Sequence, residues 1–215
     1  MLSHARLAPS GFIRLVPIDT VIVDEASQIE LGDYLPMLGK FKNIRKVAFI
    51  GDDKQLAPYG QDDLGDLRSI FELAHLRKDA IFLDTQYRMP TLIGGFISRH
   101  IYKGRLQTNH AISTPLSCRL VDISHGKETK SGNSWINAAE ADAVVIIARV
   151  YHAQKKSFRV ITPYDAQRNL LEKKLKAASL TWENTCFNVD SFQGNEADHI
   201  IISVVRSDKV GFLTN

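Results

Sequence analysis

The strongest constraint on what this chain can fold into is the run Thr20-Val21-Ile22-Val23-Asp24-Glu25-Ala26-Ser27-Gln28. Four β-branched residues in a row predict a strand. The lack of polar alternation predicts one buried on both faces, the habit of parallel sheets. Two carboxylates follow at once, at the strand's carboxyl end, where open α/β sheets bind their ligands. That placement suits a magnesium–nucleotide site: Asp24 would hold Mg2+ through oxygen, and Glu25 would orient or deprotonate a water for attack on phosphorus. The same pair also suits a helix N-terminus, where carboxylates favour the positive end of the dipole.

The pattern recurs. Lys46–Ile50 reads as a second strand, ended by Gly51-Asp52-Asp53-Lys54-Gln55-Leu56-Ala57-Pro58, and Ala80–Leu83 as a third, ended by Asp84-Thr85-Gln86-Tyr87-Arg88-Met89-Pro90. Short apolar strands that each empty into a polar loop predict a parallel α/β architecture. Between them, Gln28–Phe41 is roughly helical with Pro36 interrupting or kinking it, and Asp62–His75 reads as a helix. Pro90 is expected to start a helix over Leu92–Tyr102 despite Gly94 and Gly95.

Further along, Arg119–Ile123 is expected as a strand, His125–Ser134 as a surface loop and Asn137–Tyr151 as a helix with an apolar stripe. A strand at Phe158–Ile161 then leads through Thr162-Pro163-Tyr164-Asp165-Ala166-Gln167 into a lysine-rich helix reaching about Ala178. After Cys186–Val189 and Asp190-Ser191-Phe192-Gln193-Gly194-Asn195-Glu196, a buried strand is expected over His199–Val205. A boundary near residues 88–100 divides the chain into two α/β units, 1–90 and 91–215.

Composition narrows the class. The apolar fraction, 44%, is enough for a sizeable core. Two cysteines far apart, and histidines without metal-ligand spacing, imply neither a disulfide framework nor a zinc site. The apolar runs near Ala143–Ala148 and Ile200–Val205 are too short to span a bilayer, and no signal-peptide pattern opens the chain. A soluble intracellular protein, cytoplasmic or nuclear, with no membrane partner is the expectation. The net charge of +3 is unevenly spread: residues 1–90 carry 11 Lys and Arg against 13 Asp and Glu, and residues 91–215 carry 16 against 11. A basic second half is compatible with a phosphate backbone as partner, and equally with a solvated surface.

Four stretches in this order resemble the superfamily 1B helicases, the subgroup typified by nonsense-mediated-decay helicases. They are Val23-Asp24-Glu25-Ala26-Ser27-Gln28, Gly51-Asp52-Asp53-Lys54-Gln55-Leu56-Ala57-Pro58, Gln86-Tyr87-Arg88-Met89-Pro90 and Val189-Asp190-Ser191-Phe192-Gln193-Gly194-Asn195-Glu196. The resemblance covers the chain from about residue 20 onward and implies RecA-like P-loop units that couple hydrolysis of ATP with Mg2+ to translocation on single-stranded RNA or DNA. It implies Asp24 as the magnesium carboxylate and Glu25 as the water-activating one. Gln55 resembles the residue that touches the γ-phosphate or its water, Arg88 an arginine finger supplied in cis, and Tyr87 the aromatic that stacks near the base. Gln193, Gly194 and Glu196 are implied to line the nucleotide from the second domain. Thr162, Pro163, Tyr164, Gln167 and Ser191 are implied at the nucleic-acid surface, where contacts to phosphates and stacking on bases read no sequence. Other readings stand beside these: Tyr87 as core, Arg88 as a structural bridge to Asp84, and Lys173, Lys174 and Lys176 as a solvated helix face. A monomer is the expected state.

Two parts of that pattern are absent. No G-x-x-x-x-G-K-[ST] loop occurs in the 215 residues, so the backbone cradle for phosphates and its lysine are missing. The chain also stops at Asn215, before a second arginine-bearing motif of the family. These gaps imply an internal segment of a longer helicase, with the first RecA-like unit incomplete and the isolated chain inactive. The rival reading is a helicase-derived module that binds nucleic acid or protein without catalysis.

Overall fold

A computed structural model describes residues 15–56, 58 and 67–210, and the chain divides into two units, Met1–Arg119 and Leu120–Asn215. In the first, β1 (Thr20–Val23) pairs in parallel with β2 (Lys46–Phe49), Val21 opposite Val47 and Val23 opposite Phe49. The connection between them is two 3₁₀ turns, Ala26–Gln28 and Leu31–Tyr34, and the short α1 (Leu35–Lys40). Pro36 therefore does not kink a long helix. It sits in the first turn of α1, where its missing N–H has no partner to lose.

Val23, Ala26, Tyr34, Met37 and Ile70 form the buried core of this unit, with the Tyr34 ring edge-on to Phe49 at 5.3 Å. The expected burial of β1 on both faces is corrected here. Val23 is 7% exposed but its neighbour Ile22 is 67% exposed, because among the described residues β1 has β2 as its sole sheet partner and one covered face.

The expected helix over Asp62–His75 is in part outside the described residues. Its described end is a 3₁₀ turn at Ile70–Glu72, followed by α2 (Ala74–Arg77). Ala80–Leu83 forms no strand, and Ile81 and Leu83 are exposed. Pairing is displaced downstream to β3 (Thr85–Gln86), which runs parallel to β4 (Gln107–Thr108) on the far side of α3 (Thr91–His100). This pairing draws α3 into the first unit, so the division falls at Arg119/Leu120 and not at the expected 90/91.

Across the division no strand forms at Arg119–Ile123, where Leu120 and Val121 are exposed. The segment expected as a loop is instead half of a hairpin, β5 (Glu128–Ser131) antiparallel to β6 (Ser134–Asn137). Its two-residue turn is Gly132-Asn133, with Gly132 at φ +60°, a backbone that glycine adopts without a Cβ clash. Asn137 then caps α4 (Ala138–Ala153), accepting the Glu140 N–H at 3.1 Å.

β7 (Arg159–Ile161), α5 (Asp165–Ala177) and β8 (Cys186–Phe187) make a βαβ unit. The one-turn α6 (Val189–Phe192) and β9 (Ile200–Ile202) complete a parallel sheet of order β8-β7-β9. Ala141, Val144 and Ala148 of α4 and Leu171 and Leu175 of α5 pack with Val160, Cys186 and Ile201. The last strand is also covered on one side: Ile201 is 8% exposed and Ile202 66%. No helix among the described residues is long and apolar enough to cross a membrane.

Candidate functional site

The parallel register of β1 and β2 brings their carboxyl ends together. Ile50 N–H donates to Val23 O and Ala26 N–H to Ile50 O, both at 2.8 Å. Asp24 follows the strand with its side chain exposed, and its Oδ1 accepts the Glu25 N–H at 3.0 Å. Glu25 takes a left-handed backbone, φ 51° and ψ 40°, unusual for a residue with a Cβ. Its half-buried carboxylate accepts from Gln28 Nε2 at 3.3 Å. Strain of this kind persists where the surroundings over-determine it. Here the neighbour is Gly51, at which a Cβ would lie 2.9 Å from the Phe71 ring and 3.0 Å from the Ala26 and Ser27 nitrogens. Only glycine lets the second strand end come this close to the Asp24–Ser27 turn.

The turn after Gly51 is organised by Asp52. Its Oδ1 accepts the Lys54 N–H at 3.0 Å, and its Oδ2 accepts Gln55 Nε2 at 2.9 Å and the Tyr102 hydroxyl. Burial first, and then the bond to Asp52, push the Tyr102 phenol well above its usual range. Asp53 is taken by Arg77 at 3.0 Å and Lys54 at 3.4 Å. Gln55 thus lies exposed at the end of a turn whose geometry one carboxylate sets, and Gln55 and Ser27 line the same small cleft of the first unit.

Tyr87 and Arg88 project from a turn that Gln86 closes. The Gln86 carboxamide accepts the Met89 N–H at 2.7 Å and donates to Met89 O and to Thr108 Oγ1, each at 2.9 Å. Both intervening side chains are exposed, Tyr87 at 66%, so the reading of Tyr87 as core is excluded. Gly94 of α3 lies over this junction: its Cβ would overlap Thr108 Oγ1 and lie 2.6 Å from Gln86 Nε2.

The second unit corrects part of the expected nucleic-acid surface. Gln167 is fully buried, and its amide is engaged inside the unit. It accepts Asn137 N–H at 2.9 Å and donates to Asn137 O at 3.1 Å and Ser203 Oγ at 3.0 Å. Thr162 is also fully buried, its hydroxyl without a hydrogen-bond partner. Neither presents a group to a strand; Gln167 acts as a clamp between α5 and the start of α4. Tyr164 is 4% exposed yet edges an open cleft with the half-buried Pro163. Ser191 closes the capping box of α6 with Asn188, its N–H on Asn188 Oδ1 at 3.0 Å. Gln193 is half-buried, Gly194 holds φ +76°, and Glu196 is exposed.

Sequence reasoning missed the assembly that follows β9. Glu140 Oε2 accepts Ser203 Oγ at 2.6 Å and Val205 N–H at 3.0 Å, and Asn137 Nδ2 donates to Val205 O at 3.2 Å. Arg206 leaves this clamp to meet Glu128 of β5 at 2.9 Å, with side chains 12% and 6% exposed, and its guanidinium lies 4.2 Å over the Trp135 ring. Glu128 Oε2 also accepts the Ser207 and Asp208 amides. Arg206 first, then the backbone donors, hold the Glu128 carboxyl down at about 2. The Gly-Asn dipeptide at 132–133 between β-prone segments was the available signal for the hairpin.

The residues present fit a magnesium nucleotide in one respect. Mg2+ keeps waters and phosphate oxygens and needs only one or two protein carboxylates, and Asp24 offers an exposed one at the strand edge. A dedicated cluster of three or more His, Cys, Asp or Glu does not occur among the described residues.

Residues 67–215 match the family described as the AAA domain. Among curated proteins, the chain is 31% identical over 234 positions to the mouse 3'-5' exoribonuclease HELZ2, covering 96% of this chain and 8% of that protein. It is 31% identical to the mouse probable helicase senataxin, over 93% of this chain and 9% of that protein. Against the fission-yeast (Schizosaccharomyces pombe) DNA polymerase alpha-associated DNA helicase A it is 31% identical, over 91% of this chain and 34% of that protein. The chain thus spans about a third or less of the length of these relatives. Its parallel α/β units are of the RecA-like P-loop class, and it belongs to the AAA-domain family within the superfamily 1 helicases.

Proposed function

We propose that this chain acts in an ATP-dependent helicase that couples ATP hydrolysis to movement along single-stranded RNA or DNA. The observation that carries the reading is the Asp24–Glu25 pair at the carboxyl edge of β1, pressed against the Gly51–Gln55 turn. Asp24 would hold Mg2+, which when bound would supply positive charge to the phosphate oxygens. Glu25, with one carboxylate oxygen engaged by Gln28, would take the proton of the attacking water. Gln55 would meet the γ-phosphate or that water, Arg88 would stabilise charge developing on the transferred group, and Tyr87 would stack on the base. In the second unit, Gln193, Gly194 and Glu196 are assigned to nucleotide, and Pro163, Tyr164 and Ser191 to the strand.

Without a glycine-rich loop to converge backbone amides on the phosphates, the 215-residue chain alone is expected to show no significant turnover. The test pairs it with a chimera carrying the phosphate-loop segment of one of its relatives upstream. Nucleic-acid-stimulated ATP turnover by the chimera alone supports the enzyme. Single-strand binding by both with turnover by neither supports the second reading, a non-catalytic binding module. Turnover by the short chain at the chimera's rate would show that the phosphate site is built from other residues.

A further inference from the structure

An open cleft of about 500 Å³ in the second unit is lined by Asn133, Ser134, Trp135, Pro163, Tyr164, Asp165 and Arg206. Its volume falls within the roughly 300–1,000 Å³ of small-molecule sites. Pro163 and Tyr164 follow β7 and Arg206 follows β9, so the cleft lies at the carboxyl edge of a parallel sheet, the ligand-bearing edge of such folds. We propose that it receives one nucleobase of a single-stranded nucleic acid, stacked beside the Trp135 indole. The proposal rests on the reading that the chain binds single strands, and adds the residues that hold a base.

Three observations select a base over a phosphate. The Arg206 charge is matched by Glu128 at 2.9 Å, so the guanidinium serves as a flat platform joined to the indole at 4.2 Å rather than as a free cation. The α5 N-terminus, the other natural anion site, has its Ala166 N–H already donated to Ser134 Oγ at 3.3 Å, and the Asp165 carboxylate stands at the cleft wall. The rest of the lining is the Trp135 ring with neutral polar groups on Asn133 and Ser134, which suits a ring with in-plane donors and acceptors.

Arg206 is also held there against a backbone penalty. Val205 has φ +71°, and the Arg206 N–H bonds to Val204 O at 2.7 Å, a γ-turn centred on a fully buried β-branched residue. Such a turn is rare and strained. The Glu140 and Asn137 bonds to both Val205 backbone groups enforce it, and its effect is to turn Arg206 onto Trp135. Trp135 itself lies outside the hydrophobic core of the unit. Within the unit the ring is met by the Arg206 guanidinium, and a base stacked in the cleft would give it a further partner.

The chain holds two tryptophans, Trp135 and Trp182, so Trp182→Phe leaves Trp135 as the sole indole emitter. This variant would be titrated with a single-stranded oligothymidylate or oligouridylate, an abasic oligomer of equal length, and a free mononucleotide. Anisotropy of a labelled oligonucleotide reports binding independently. Quenching of Trp135 by the base-bearing oligomer and not by the abasic one is expected. Trp135→Ala should weaken oligonucleotide binding on the order of tenfold while Trp135→Phe, which keeps a stacking ring and controls for folding, stays within a few-fold. Binding without quenching, equal quenching by the abasic oligomer, or wild-type affinity in Trp135→Ala would overturn the proposal and leave strand binding standing. Quenching by the mononucleotide alone would assign the cleft to free nucleotide and overturn it as a strand site. Absence of oligonucleotide binding in every variant would overturn the proposed function itself.

Discussion

The Tyr102 hydroxyl donates to the carboxylate of Asp52, fifty residues earlier, and the same carboxylate oxygen accepts the side-chain amide of Gln55. The turn that carries Gln55 is therefore tied to the end of α3, the helix that begins just after Arg88. Two of the motifs assigned to nucleotide are thus joined through a residue outside both.

Removing that link should loosen the turn without unfolding the unit. Tyr102→Phe is expected to lower stability by about 1.5–3 kcal/mol, the range for a hydrogen bond to a charged partner. Amide exchange at Lys54 and Gln55 should rise while β1 and β2 stay protected, as read by exchange mass spectrometry. Uniform loss of protection across the unit would mean that the phenol serves only general packing.

Gly94 and Gly95 are adjacent in α3 and should respond in opposite directions. A methyl at Gly94 would overlap Thr108 Oγ1 and the Gln86 amide that closes the Tyr87–Arg88 turn, whereas nothing lies within 4 Å of a Cβ at Gly95. Gly94→Ala should destabilise by about 1–3 kcal/mol through overpacking. Gly95→Ala should be neutral or stabilise by about 0.5–1 kcal/mol through helix propensity. Urea denaturation of the two variants decides it.

Glu128 makes the second unit sensitive to acid. Its carboxyl is held at about 2 against an ordinary 4.5, chiefly by Arg206. A depressed carboxylate stabilises the fold fully above its unfolded value, and that contribution is lost as pH falls through the folded one. The advantage of wild type over Glu128→Gln should therefore be constant above about pH 4.5 and vanish as pH approaches 2. Thermal melting of both proteins across that window tests it, and a gap unchanged down to pH 2 would remove Glu128 from the ion pair.

In the phosphate-loop chimera, Glu25→Gln should keep nucleotide binding and slow hydrolysis by about 10²–10⁴-fold, the range for a lost general base. Arg88→Ala should also cut turnover while leaving strand affinity without nucleotide unchanged, since such an arginine acts on charge that develops during transfer. Loss of strand binding with hydrolysis intact would take Arg88 out of the nucleotide site.

Much of this was legible locally. The strand at Thr20–Val23, its carboxylates, the Pro90 entry to α3, the apolar stripe of α4 and the Phe158–Ile161 strand with its following helix all follow from periodicity and punctuation within a few residues. The turn that begins at Gly51 was placed correctly at a strand end for the same reason, whereas no strand forms before Asp84.

What the amino-acid order could not disclose is which surfaces meet. Ile22 sits in a run that reads as doubly buried and Ile202 in one that reads as buried, yet each faces outward because cover depends on neighbours remote in the chain. Gln167 sits in a motif assigned to nucleic acid by resemblance, but the fold turns it onto Asn137, thirty residues away. Arg206 finds Glu128 across seventy-eight residues, through a γ-turn that no propensity predicts at valine. Helix and strand preferences act over one or two turns of chain, so the sequence by itself determined most of the elements and which polar residues stand at their ends. Burial, and the choice of partner for each polar group, come from long-range packing that satisfies all of them at once, and only the tertiary structure decided those.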